Sequence, residues 1–339
     1  MSLALVTSSE KTTFAQAVAS LRALTRDDLG RMDQEIMMRM DSPVAMIPDL
    51  AGHLINAGGK RLRPMLTLSA ARLFGYRGGH HILMAAAVEL IHGATLLHDD
   101  VVDASRLRRG TKTANVIWGN KESVLVGDYI FSRAFELMVS AENLRVLKIL
   151  SHASSVIAEG EVLQLATQKN LQTTREMYID VINAKTAALF AAATHTGAII
   201  ASAPQREEVA MEAFGRDFGI AYQLVDDALD YTGFEGKLGK TVGDDFREGK
   251  MTLPVILSVA SADAEERQFW QRTIADGQQA DEDFAVACEI MVRHDAVGKT
   301  LALAGQYADK AIANLSSVPA TEDTEALRTL VQTSLSRAN

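Results

Sequence analysis

Two stretches, AVELIHGATLLHDDVVD at residues 87–103 and IAYQLVDDALDYT at 220–232, decide how this chain folds. Each is apolar on more than one face, the pattern of a helix buried inside a bundle. Each also ends in the same acidic spacing: Asp99, Asp100 and Asp103 in the first, Asp226, Asp227 and Asp230 in the second. Working outward, Ala, Leu, Met and Glu are abundant, and no proline falls between Pro64 and Pro204, which favours helix over strand for most of the chain. Breaks rich in Gly, Pro or charge fall at 56–64, 74–81, 106–111, 202–205 and 232–250, and none reads as a long flexible linker. The expectation is an all-α protein, with a single bundle of about ten or more helices spanning residues 26–339. Residues 1–25 are expected to be loosely held and the last few residues to fray.

The chain has 339 residues, 47% of them apolar and 23% charged, with 6 prolines, which excludes disordered and collagen-like classes. Lys and Arg number 34 against 43 Asp and Glu, for a net charge of −9, so a general affinity for nucleic acid is not expected. The single cysteine, Cys288, excludes an internal disulfide framework and fits a reducing, cytoplasmic compartment. The start, MSLALVTSSEKTTFAQ, lacks the pattern of a secretory signal. No run reaches the roughly 18 uninterrupted apolar residues of a transmembrane segment.

Six aspartates at the ends of apolar helices are costly unless something neutralises them. Residues four apart return almost to the same helical face, so Asp99 and Asp103 can share one divalent ion, as can Asp226 and Asp230. All-oxygen ligands select a hard cation such as Mg²⁺, which shares its shell with substrate phosphate oxygens. Basic zones supply the complement: Lys60, Arg61 and Arg63 after a glycine pair, Arg106, Arg108 and Arg109 after the first aspartates, and Lys237, Lys240, Arg247 and Lys250 after the second. Two acidic helix ends, each followed by basic residues, form the pattern a diphosphate site needs. GKLGKT is not a nucleotide P-loop, since Phe234 stands where the earlier glycine would be required.

GGKRLRP, LLHDDVVD with its trailing RRG, GEVLQL, AKTAALF, QLVDDALDY and GDDFREGKMTLP occur in this order. In that, the chain resembles the trans-prenyl diphosphate synthase family, and most of all its long-chain octaprenyl, solanesyl and decaprenyl members, which make side chains of quinones such as ubiquinone. The resemblance implies the isoprenoid synthase fold, helices around a central cavity. It also implies two or three Mg²⁺ ions held by Asp99, Asp100, Asp103, Asp226 and Asp230, with Asp227 nearby. Lys60, Arg63, His92 and Arg109 match positions that bind isopentenyl diphosphate. Arg108, Lys185, Thr186, Gln223, Lys240 and Lys250 match those around the allylic diphosphate, Lys185 and Lys240 serving ionisation with the aspartates. Departures are few: Ala221 and Tyr222 stand where Phe is more usual, and Thr241 replaces a frequent Pro.

The implied chemistry is ionisation of the allylic diphosphate, attack by the double bond of isopentenyl diphosphate, and loss of a proton. In the family an aromatic four or five positions before the first aspartate stops the growing tail. Here those positions are Thr95 and Ala94, so a long product is expected, and Ala94→Phe should shorten it. Homodimerisation follows by resemblance alone. A terpene cyclase, a regulatory partner subunit and a helical calcium-binding protein are rival readings. The cyclase leaves the Lys60, Arg63 and Arg109 group without purpose, and a regulatory subunit has no need of all six aspartates.

Overall fold

The structure is a computed structural model that describes residues 12–56, 58–108, 110–232 and 242–338. In chain order its helices are α1 (Phe14–Leu24), α2 (Arg26–Met40), α3 (Met46–Asn56), α4 (Leu62–Leu73) and α5 (His80–Val102). A two-stranded antiparallel hairpin follows, β1 (Leu107–Arg108) and β2 (Thr111–Lys112), with Leu107 opposite Lys112. Next come α6 (Ala114–Ile117), α7 (Asn120–Ser140), α8 (Leu144–Thr167), α9 (Arg175–Ile182), α10 (Ala188–Ile200) and α11 (Gln205–Thr232). The chain closes with α12 (Asp244–Arg247), α13 (Leu253–Ser261), α14 (Ala264–Trp270), α15 (Asp283–Arg293), α16 (Ala296–Asn314) and α17 (Glu322–Ser334).

Local chemistry sets many of the boundaries. Thr13 and Gln16 form a reciprocal capping box at the start of α1, and Asp263 and Glu266 form another at α14. The Asn143 side chain accepts from the N–H groups of Arg145 and Val146 to start α8, and Pro254 sits in the first turn of α13. α5 is buried on several faces, with Ala85, Ala86, Ala87 and Val88 all at 0% exposure. Among the described residues it is the one helix long and apolar enough to cross a membrane, yet 67% of that apolar window is buried within the protein.

Two apolar clusters make the core. One gathers α1, α2, α4, α5, α7, α8, α10 and α17; the other gathers α9, α13, α15 and α16. α11 joins them, giving Phe214 and Phe218 to the first and Leu224, Val225 and Leu229 to the second. The acidic end of α11 is therefore fixed by packing on both sides.

Two expectations need correction. The first 25 residues are not loose as far as they are described: α1 is capped, and Phe14, Ala17 and Leu21 are buried in the core. Burying that apolar face outweighs the polar composition around it. Nor is the C-terminal end free to fray, since a 3₁₀ turn at Leu335–Ala338 follows α17 and the Arg337 side chain is only 9% exposed.

Candidate active site

α5 and α11 each present their acidic end to one cavity of about 750 Å³. Helical geometry divides each aspartate triad in the same way. A residue four positions on is turned by about 40°, whereas the next residue is turned by about 100°. Asp99, Asp103, Asp226 and Asp230 accordingly line the cavity. Asp100 points off the wall, is 2% exposed, and accepts from Nε and Nη2 of Arg108 at 2.9 and 2.6 Å. The expectation that Asp100 helps hold metal is thus not matched by its placement: its charge is already spent on Arg108, which does line the cavity. Asp227 touches the wall but is 5% exposed, accepting from the hydroxyl of Tyr178 and, at 2.7 Å, from Nε2 of Gln223.

Three contacts lead from one acidic helix end to the other. Lys250 Nζ lies 3.6 Å from Asp103 and 3.8 Å from Asp245, and the backbone N–H of Asp245 donates to Asp230 at 3.0 Å. Lys250 also pairs with Glu248. Burial pulls its ammonium pKa down, but Asp245, Asp103 and Glu248 together hold it well above the ordinary lysine value. On the other flank Lys185 Nζ sits 2.8 Å from Glu161 and 3.8 Å from Asp99. Burial pushes the Asp99 carboxyl up to about 6 even so, because Glu161 and Asp103 offset part of the help from Lys185. Asp227 is pushed higher, to about 8, by burial and by Asp245, against the hydrogen bonds from Tyr178 and Gln223.

Lys185 and Thr186 reach the cavity from a π-helical turn, Asn183–Ala187, that widens the chain between α9 and α10. Gly160 of α8 makes room for that turn: a Cβ there would lie 2.8 Å from both the Lys185 nitrogen and the Ala184 Cβ. Thr186 donates to Oε1 of Gln223 at 2.9 Å, so Thr186, Gln223 and Asp227 form one chain of hydrogen bonds, met at Asp227 by Tyr178.

Three more of the expected basic groups, Lys60, Arg63 and His92, lie along the same cavity. Lys60 Nζ is 3.4 Å from the Tyr222 hydroxyl and 5.1 Å from the centre of the Phe14 ring. Arg63 Nη1 is 3.1 Å from Nε2 of His92, and its guanidinium lies over the Phe190 ring at 4.6 Å. Arg109 and Lys240 lie outside the described residues.

Sequence reasoning missed several wall residues. Glu161, Asp245 and Glu248 sit inside the GEVLQL and GDDFREGK segments quoted above, which was the available signal. Arg337 carried none, being 111 positions from its partner Asp226, whose Oδ1 accepts from its Nη2 at 2.5 Å. Of the two proposed tail-stopping positions, Thr95 lines the cavity and Ala94 does not. Five residues before Asp99 is about 140° around the helix, which turns the fully buried Ala94 into the packed core instead. The apolar section of the cavity is closed by Ile36 and Met40 of α2, Ala51 and Leu54 of α3, Leu90 of α5 and Ile130 of α7.

The residues present suit a hard divalent cation. The wall donors are carboxylate oxygens, and Asp99 keeps a raised pKa in spite of Lys185, so further positive charge there would be favourable. Among the described residues no three acidic, His or Cys side chains form a ready cage. That suits an ion that completes its shell with substrate oxygens.

The comparisons with known proteins agree with this geometry. A family model described as Polyprenyl synthetase matches residues 44–291. Octaprenyl diphosphate synthase of Escherichia coli (strain K12) is 43% identical over 94% of this chain and 98% of its own. A decaprenyl diphosphate synthase structure from Rhodobacter capsulatus superposes with TM-score 0.92 at 50% identity, covering 95% of this chain and 99% of that one. A polyprenyl synthase from Caulobacter crescentus CB15, complexed with calcium and isoprenyl diphosphate, gives TM-score 0.92 and 50% identity over 95% and 98%. Helices closing on a cavity with two acidic ends and a basic wall are thus the all-α isoprenoid synthase fold, here in an enzyme of the prenyltransferase class. The chain belongs to the polyprenyl synthetase family.

Proposed function

We propose that this protein condenses an allylic prenyl diphosphate with successive isopentenyl diphosphates to give a long all-trans polyprenyl diphosphate, between octaprenyl and decaprenyl in length, for a quinone side chain. One observation carries the reading: a single cavity joins two acidic helix ends to a basic wall and then to an apolar section. Asp99 and Asp103, with Asp226 and Asp230, would hold two or three Mg²⁺ ions. Bound there, Mg²⁺ supplies positive charge that stabilises a diphosphate leaving group.

The remaining work falls to the chain's own groups. Lys60, Arg63 and His92 hold the acceptor diphosphate, and Arg109 joins them by resemblance. Lys185, Thr186, Gln223, Arg108 and Lys250 surround the allylic diphosphate, with Lys240 again by resemblance. Ionic donors aimed at the departing diphosphate favour breaking the allylic carbon–oxygen bond, whose electron pair leaves with the diphosphate. The double bond of isopentenyl diphosphate then supplies the pair for the new carbon–carbon bond. The released diphosphate takes the proton, restoring the double bond, so no side-chain nucleophile is needed. The apolar walls keep water from the cation.

Incubation with Mg²⁺, labelled isopentenyl diphosphate and a series of allylic starters, read by mass, tests this. Products longer by several five-carbon units are expected. Cyclic hydrocarbon from an allylic diphosphate alone would favour a cyclase, and no elongation by the purified chain would favour a regulatory subunit.

A further inference from the structure

A second, smaller cavity of about 390 Å³ lies away from the aspartates, where the start of α2 and the end of α4 meet the start of α5. Four arginines line it, Arg26, Arg31, Arg72 and Arg77, against two carboxylates, Asp27 and Asp28. Asp28 is shared: it lies 3.8 Å from Arg31, 3.9 Å from Arg72 and 3.3 Å from Nε2 of His81. Arg72 also donates to Asp323 at 3.1 Å. Arg26 and Arg77 form no ion pair among the described residues, so the cavity keeps a surplus of positive charge.

The backbone points the same way. The first turn of α5 begins at this cavity, its N-cap is Gly79, and no side chain caps it. This 23-residue helix therefore starts beside the arginines without a side-chain cap, and the positive end of its dipole lies near them. Arg31 Nη2 comes within 3.9 Å of the position a Cβ on Gly79 would take. A side chain on Gly78 would collide with the Tyr76 hydroxyl, so the bare backbone there lies directly beside a further donor. His81, 3% exposed, also lines the cavity. Forked guanidinium groups around a helix N-terminus recognise tetrahedral oxyanions.

We propose that this cavity is a second anion site, separate from the catalytic one, which takes a phosphoryl group: inorganic phosphate, inorganic diphosphate, or the phosphate of a small monoester. The first two would report free phosphate or released diphosphate. The monoester would report a phosphorylated metabolite, for which the cavity has room beyond the phosphoryl group.

The test uses the full chain with a chelator present, so that metal-dependent binding at the aspartates is suppressed. Inorganic phosphate, inorganic diphosphate and glycerol phosphate are each titrated at constant ionic strength, with chloride as control, and followed by calorimetry and melting temperature. Wild type is expected to bind at least one of them, and Arg26→Gln/Arg77→Gln to bind it about tenfold or more weakly, as loss of charge-assisted hydrogen bonds predicts. Lys60→Gln/Arg63→Gln, which removes any anion held on the acceptor wall of the catalytic cavity, should keep the binding that Arg26→Gln/Arg77→Gln loses. Arg26 and Arg77 are exposed, so the double variant should melt as wild type does without anion. A response equal to that of chloride, or one lost in Lys60→Gln/Arg63→Gln and kept in Arg26→Gln/Arg77→Gln, overturns the proposal.

Discussion

At the scale of single residues, the angle of about 100° per helical position decides which groups meet substrate. Thr95 is about 40° from Asp99 and lines the cavity, while Ala94 is on the far side, so the two should respond differently to the same substitution. Thr95→Phe is expected to shorten the product, seen by chromatography of the dephosphorylated chains. Ala94→Phe should instead overpack the core and cost about 1–3 kcal/mol in urea unfolding. Asp227 offers a second check. Its folded-state pKa, pushed up to about 8 by burial, is above the ordinary 3.8, so its contribution to stability is full below about pH 4 and is lost as pH rises through 8. In metal-free protein the melting temperature should fall between pH 5 and 8.5, and Asp227→Asn should flatten that fall. Parallel profiles would show that the carboxyl titrates normally.

At the scale of elements, Lys185 is positioned by a helix that contains no part of its own motif. α8 passes close enough to the π-helical turn to place Glu161 against Lys185 only because residue 160 has no side chain. Gly160→Val should therefore push back the Lys185 backbone, lower stability by about 1–3 kcal/mol and cut elongation at least about tenfold. Gly30 is the control: it lies in α2, a Cβ there meets nothing within 4 Å, and Gly30→Ala should add about 0.5–1 kcal/mol without touching activity. Equal losses in the two variants would remove the positioning argument. Both are measured by urea unfolding and steady-state elongation rate.

At the scale of the whole molecule, the two ends of the described chain close over the same wall. Arg337 bonds Asp226 and lies 5.1 Å from the Phe14 ring of α1 and 4.7 Å from the Tyr222 ring of α11. One guanidinium thus ties both termini to the helix that carries the second acidic end. Arg337→Gln should lower stability by about 1–3 kcal/mol, because it leaves partly buried carboxylate and ring faces without their cation. It should also weaken binding of the allylic diphosphate, read as a higher KM with retained kcat. An unchanged unfolding midpoint would mean that the contact is idle.

The all-helical fold, the two aspartate pairs that face the cavity and most of the basic wall were legible in the chain itself. Periodicity, proline placement and four-residue spacing are local properties, and LHDDVVD and LVDDALD state them outright. Asp100 was misleading for a local reason as well: DDxxD spacing shows three acids, but only the packing of Arg108 turns Asp100 off the cavity wall. α1 looked loose because its apolar face is short, and Arg337 looked like a frayed tail because its partner is 111 positions away. Sequence thus determined the helices and most of the charged groups that could serve the site, since those depend on side-chain type and near spacing. Tertiary structure decided which of them face the cavity and what closes it, because contacts between distant helices depend on how whole apolar faces pack and leave no mark at either position alone.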